Sequence, residues 1–280
     1  MEQYRRNDLI FDVRDAGPAD GPVVVLLHGF PQHNDSWNAV IDRLTAQGYR
    51  CLAPNQRGYS PGARPSRLRD YRIPELVADV GALIDASGAR RVHLVGHDWG
   101  AAVAWAAAAE MPERLATVSP ISVPHPAAFL KSFVTSRQGL ASWYMYFFQL
   151  PRIPEWLLMR RNGAIASYSL RRGGQIPAAV ERDVDAMREP GAMRAAINWY
   201  RAMPLSNPRA INQKVSVPTL YVWSDQDIAL LPKSAHNTAR YVTGEYQFEI
   251  LPGVSHWIPD EQPDKLADLL LDWFDAHQSD

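Results

Sequence analysis

Five consecutive residues, Gly96-His97-Asp98-Trp99-Gly100, constrain this chain more than any other segment. They follow an apolar strand-like run, Arg91 to Val95, and lead into an alanine-rich helix-like run, Ala101 to Glu110. A strand that passes directly into a helix must reverse within a few residues. Small residues two before and two after the apex leave room for that strained turn, the arrangement of a nucleophile elbow. The apex here is an aspartate. A carboxylate with an ordinary pKa of about 3.9 is ionised at neutral pH and needs no base to become nucleophilic. It is suited to attack a saturated carbon, giving an ester that water must then hydrolyse.

Around the elbow, strand-like and helix-like segments alternate. Leu9–Val13 and the continuous apolar run Val23–Leu27 read as strands, the second buried on both faces. Ser36 is the expected N-cap of a helix reaching Ala46, followed by a strand at Tyr49–Ala53 and a helix at Pro74–Ala86. Leu115–Ser119 is a further strand. After Val123-Pro124-His125-Pro126, and to about Gln213, the pattern is helical, aromatic and rich in arginine, densest at Ala141–Phe148. Alternation returns with strands at Thr219–Trp223 and Phe248–Leu251 and helices at Lys233–Tyr241 and Pro263–Ala276. The expected fold is α/β, a mostly parallel sheet with helices on both faces and an inserted helical cap. Residues 1–124 and 213–280 would form the core domain and 125–212 the cap.

The 280 residues carry a formal net charge of −1, with no basic block or polybasic helix, which argues against a nucleic-acid or membrane-surface role. No run of eighteen apolar residues is present to span a membrane, and the N-terminal residues lack a signal-peptide pattern. The single cysteine, Cys51, excludes an intrachain disulfide framework and suits a buried position in a reducing compartment. A cytoplasmic location is the expectation.

An aspartate nucleophile needs an oxyanion site, a base for water and a group to orient that base. His28-Gly29-Phe30-Pro31 closes the Val23–Leu27 strand, so the Phe30 and Trp99 backbone N–H groups are the candidate oxyanion donors. Among eight histidines, His256 lies in a loop after the last apolar strand, the chain-order position for a base that follows nucleophile and acid. His28 and His97 belong to the turn motifs, His93 reads as a core residue, and His33, His236 and His277 as solvated. His125, where the cap begins, could line a pocket. The orienting acid follows the Thr219–Trp223 strand, where Asp225 and Asp227 both qualify; no acidic residue between Leu115 and Glu155 offers another place for it.

These residues resemble the α/β-hydrolase superfamily and, within it, the epoxide hydrolases of the aspartate-nucleophile branch. His28–Pro31 resembles that family's HGxP motif, Gly96–Gly100 its aspartate elbow and Ser255-His256-Trp257 its histidine loop. Trp223–Asp227 is similar to its acid segment, which selects Asp227, with Ser224 where glycine is common. Asn55–Ser60 resembles the structural DxRGxG loop, with Asn and Ser at its ends. Two cap segments, Tyr144–Gln149 and Asn198–Arg201, resemble those carrying the family's paired tyrosines, which fall on Tyr144 and Tyr200; Tyr146 competes with Tyr144. A phenol stays protonated at neutral pH and can donate to the alkoxide that ring opening creates.

The resemblance implies conversion of an epoxide to a vicinal diol, with no metal or organic cofactor. The implied partners are water and a small apolar epoxide, bound near Phe30, Pro31, Trp99, His125, Tyr146 and Trp257. A haloalkane or haloacid dehalogenase would share Asp98 and His256. Against it, Phe30 replaces the amide side chain that commonly holds halide, and Ala102 stands where fluoroacetate enzymes use arginine. A ligand-binding protein on the same scaffold is the remaining alternative. Sequence leaves substrate size and oligomeric state open.

Overall fold

Eight strands form one sheet in the order β1-β2-β4-β3-β5-β6-β7-β8. The computed structural model describes residues 1–207 and 211–277. The strands are β1 (Gln3–Arg6), β2 (Leu9–Ala16), β3 (Val23–Leu27), β4 (Arg50–Pro54), β5 (Val92–His97), β6 (Leu115–Ile121), β7 (Thr219–Ser224) and β8 (Tyr246–Leu251). β1 pairs with β2, and β2 with β4, antiparallel; the other neighbouring pairs, among β3 to β8, are parallel. Every residue of β3, β5, β6 and β7 is buried, as expected for strands covered on both faces.

The core helices are α1 (Asn38–Ala46), α2 (Ile73–Ser87) and α3 (Trp99–Glu110), with three more described below. Between β6 and β7 the chain passes through α4 (Pro126–Thr135), α5 (Gln138–Ala141), α6 (Trp143–Phe147), α7 (Ile153–Arg172), α8 (Pro177–Ala186) and α9 (Ala192–Ala202). Residues 208–210, within the expected cap, and 278–280 lie outside the described residues. The chain then adds α10 (Pro232–Asn237), α11 (Ile258–Glu261) and α12 (Pro263–Ala276). One sheet face packs on Val40, Ile41 and Leu44 of α1 with Leu266, Leu270 and Phe274 of α12. The other packs on Leu76, Val80 and Leu83 of α2 with Val103, Ala104 and Ala107 of α3. The inserted helices dock on the core through the Trp199 indole N–H, which donates to the Arg57 carbonyl at 2.8 Å.

The structure corrects several local expectations. Ser36 does not cap α1; a 3-10 turn at Asn34–Trp37 precedes the helix, and Ser36 Oγ donates to the His33 carbonyl at 2.8 Å. β1 is an extra strand, unexpected because only its Tyr4 is buried. His33 is half-buried, stacked near His28 and edge-on to Tyr59, and His277 hydrogen-bonds the Trp273 carbonyl at 2.8 Å, so neither is simply solvated. Cys51 and His93 are buried as expected. Among the described residues no helix is long and apolar enough to cross a membrane.

Candidate active site

Asp98 sits at the tip of β5 with φ 52° and ψ −120°, a left-handed backbone unusual for a residue with a side chain. The residues two before and two after it must be small. A Cβ on Gly96 would lie 2.2 Å from the Gly100 oxygen, and one on Gly100 would lie 2.2 Å from the Leu27 oxygen. The end of β3 comes equally close: a Cβ on Gly29 would lie 2.3 Å from the Asp98 Cβ. That contact lets the Phe30 N–H donate to Asp98 Oδ1 at 2.8 Å. Trp99 opens α3, so its N–H lies outside the helix's own hydrogen-bond ladder.

His256 lies between β8 and α11. Its Nδ1 is 2.7 Å from Asp227 Oδ2, and its Nε2 is 3.4 Å from Asp98 Oδ2. The other Asp227 oxygen accepts the Ala229 and Leu230 N–H groups at 2.8 and 2.9 Å, fixing the carboxylate in the loop after β7. Asp225 instead is exposed and accepts the Gly253 N–H at 2.7 Å, stapling two loops. Burial disfavours a charged His256, but the charges and hydrogen bonds of Asp227 and Asp98 outweigh it and raise the imidazole to about 10. Burial likewise opposes ionised Asp98, yet the His256 hydrogen bond and charge hold it below its ordinary value. Resting Asp98 and His256 therefore form an ion pair.

Above Asp98 a cavity of about 240 Å³ separates the sheet from the inserted helices, and Asp98, Trp99, Tyr144, Tyr200 and His125 all line it. The Tyr144 and Tyr200 rings stand edge to face with centroids 6.0 Å apart. Burial first, then the Asp98 charge, keeps both phenols protonated far above neutral pH. Tyr200 also packs edge-on against the Trp99 indole at 5.1 Å. An ionised carboxylate, a paired imidazole and two neutral phenols around one apolar space are equipped for nucleophilic attack on a polar bond whose leaving oxygen needs a donor.

Residues 22–263 match the family described as the alpha/beta hydrolase fold. The AB hydrolase superfamily protein YfhM of Bacillus subtilis is 34% identical over 274 residues, covering 95% of each chain. Epoxide hydrolase A of Mycobacterium tuberculosis is 31% identical over 307 residues, covering 95% of this chain and 94% of that one. The crystal structure of epoxide hydrolase A from Mycobacterium thermoresistibile superposes with a TM-score of 0.85 at 25% identity, covering 99% and 98% of the two chains. The chain belongs to the epoxide hydrolase family of the α/β-hydrolase superfamily.

Not every residue expected at this epoxide hydrolase family site faces the cavity. Tyr146 is 60% exposed and packs on Phe133 on the outer side of α6, because residues two apart on a helix point to nearly opposite sides. Trp257 turns away from Asp98 and is buried among Ala166, Leu170, Val180 and Val184 of α7 and α8. Phe30 offers its backbone to Asp98 while its ring packs on Phe148 and Tyr200, off the cavity wall. Pro31 is buried and is also absent from the wall. His125 lines the wall with both nitrogens engaged: Nδ1 accepts the Ala127 N–H at 3.2 Å, and Nε2 meets the Gln213 carbonyl at 3.0 Å.

Sequence reasoning missed the frame that holds the His256 loop. Ser122 Oγ donates to the His256 carbonyl at 2.9 Å, and His97 Nε2 is 2.9 Å from the same oxygen. The other His97 nitrogen meets Gln32 Oε1 at 2.9 Å, and Gln32 Nε2 donates to Asp260 at 2.8 Å. Asp260 in turn pairs with Arg182 of α8 at 2.8 Å. A line of contacts thus runs from the inserted helices to the base. Its members are up to 228 residues apart, and no local pattern announces them. The Asn55–Ser60 loop is structural, as expected: the Gln56 side chain donates to the His28 carbonyl at 2.6 Å, and Arg57 pairs with Asp79 at 2.7 Å. Among the described residues no group of three or more acidic, histidine or cysteine side chains is arranged to hold a metal ion.

Proposed function

We propose that the protein hydrolyses the ether bond of an epoxide to give a vicinal diol, by way of an ester on Asp98. The observation that carries this reading is the placement of Tyr144 and Tyr200 beside a carboxylate that already faces His256. In this reading residues 125–212 act as a cap that delivers the two phenols to the core. Asp98 Oδ2 attacks a ring carbon from the side opposite the departing oxygen, and Oδ1 stays on the Phe30 N–H. The C–O bond of the ring breaks, and a phenol proton passes to the alkoxide. The His256 proton then restores the phenol through solvent.

Ester formation removes the Asp98 charge, one of the two that raise His256, so the imidazole becomes a usable base only at that point. His256, oriented by Asp227, takes a proton from water as the oxygen adds to the ester carbonyl. The Phe30 and Trp99 amides hold the resulting oxyanion. Collapse releases the diol, whose leaving oxygen takes the proton from His256, and the new Asp98 carboxyl then gives its proton to His256, restoring the ion pair. Water and epoxide are consumed one for one.

The dehalogenase alternative would enlist the Trp99 side chain for halide, but that indole packs edge-on against Tyr200 at 5.1 Å and Trp199 at 5.6 Å. A single turnover in ¹⁸O-water tests the ester directly. Label is expected in the Asp98 carboxylate, and label confined to the diol would overturn the mechanism. Chloride release from haloalkanes in place of diol formation would transfer the site to the rival.

A further inference from the structure

We propose that the substrate is a terminal epoxide at the end of one long apolar chain, and that internal epoxides with two long arms are excluded. The inference rests on the epoxide reading above and gives it a substrate class. The cavity leaves Asp98 along α3, over Ala102, Ala106 and Ala109, to Glu110 at the helix's end. Spacings of four and three keep these residues on one helix face. Their methyl groups leave that face low, so a chain can lie against it. The twelve residues of α3 give the path about 18 Å of length. Phe129 and Leu130 of α4, Met145 of α6 and Met203 supply more of the apolar wall. Exposed Glu110 and half-exposed Leu130 mark its open end.

The side of Asp98 that faces the Phe30 amide is filled. The Phe30, Phe148 and Tyr200 rings meet pairwise at 5.5, 5.3 and 4.9 Å, and neither Phe30 nor Phe148 lines the cavity. Gly29 packs directly on Asp98, and beyond His256 the space is taken by Trp257 against α7 and α8. An epoxide with one ring carbon at Asp98 and its oxygen at the phenols therefore has room for one extended substituent. A second long arm has to displace the three-ring cluster.

The test is kcat/KM for diol formation by the wild-type protein on 1,2-epoxybutane, 1,2-epoxyoctane and 1,2-epoxydodecane, beside 5,6-epoxydecane and 7,8-epoxytetradecane. The terminal series should rise by up to about fourfold per methylene while the chain remains inside. The internal epoxides should fall about tenfold to a hundredfold below terminal ones of similar carbon number. Ala106→Phe places a ring across the path and should lower the dodecane-to-butane epoxide ratio at least about tenfold. Phe148→Ala should raise the internal-to-terminal ratio; should that variant fail to fold, the wild-type series and Ala106→Phe still decide. Equal rates on internal and terminal epoxides, or an unchanged ratio in Ala106→Phe, would overturn the inference and leave the epoxide reading standing. Hydrolysis of none of the five would instead bring down that reading and this inference with it.

Discussion

Asp227 Oδ2 lies 2.7 Å from His256 Nδ1 while Asp227 Oδ1 is tied to two backbone N–H groups, so the imidazole is oriented by a carboxylate that cannot swing. Asp227→Asn should lower kcat about 10³- to 10⁴-fold, because the wrong ring tautomer would face water. Rapid-quench mass spectrometry should show the ester on Asp98 accumulating. Loss of ester formation instead would mean that Asp227 serves the first step.

The two carboxylates beside His256 also make stability depend on pH. The folded imidazole, raised from 6.5 to about 10, contributes stability that is fully present below about pH 6.5 and fades as pH climbs through 10. Asp98→Asn removes one of those charges. Its Tm should therefore decline less than that of the wild type between pH 6.5 and 10 in thermal melts. Parallel declines would show that Asp98 does not hold the His256 proton.

Removing a phenol should slow ring opening while leaving ester hydrolysis intact. Tyr200→Phe should lower the single-turnover rate of ester formation at least about tenfold, and a Tyr144→Phe, Tyr200→Phe double variant about a hundredfold or more. Decay of the preformed ester should be nearly unchanged. Normal ester formation in the double variant would leave the alkoxide without its assigned donors.

Gly29 is fixed by contact rather than by backbone conformation. In Gly29→Ala the new methyl has to push Asp98 or the Phe30 amide aside, since its Cβ would fall 2.3 Å from the Asp98 Cβ. A displacement near 1 Å is worth about a hundredfold in rate. Steady-state kinetics should show that loss with secondary structure retained by circular dichroism.

Arg57 and Asp79 are paired at 2.7 Å with side chains only 4% and 7% exposed. Arg57→Met leaves Asp79 with Arg6 as its remaining partner and should cost about 3–5 kcal/mol in urea unfolding. Asp79→Asn paired with Arg57→Met should recover part of that loss.

Short stretches encode local geometry, and that much was legible directly. Asp98 was legible because a strand, a sharp turn and a helix follow one another directly, and steric crowding permits only small residues two before and two after the apex. The parallel sheet was legible because β3 is apolar throughout and β5, β6 and β7 are largely apolar without strict alternation, a pattern typical of strands buried on both faces. Which side chains meet is set by the fold as a whole. Tyr144 faces the cavity and Tyr146 the solvent because of how α6 is rolled against the core, and Trp257 turns away from Asp98 because α7 and α8 provide its apolar bed. The Ser122, His97, Gln32, Asp260 and Arg182 frame depends on contacts between distant segments, as does the path of the cavity along α3. Local propensity fixes periodicity and turns over a few residues, whereas a side chain's facing and partner depend on packing across the whole chain.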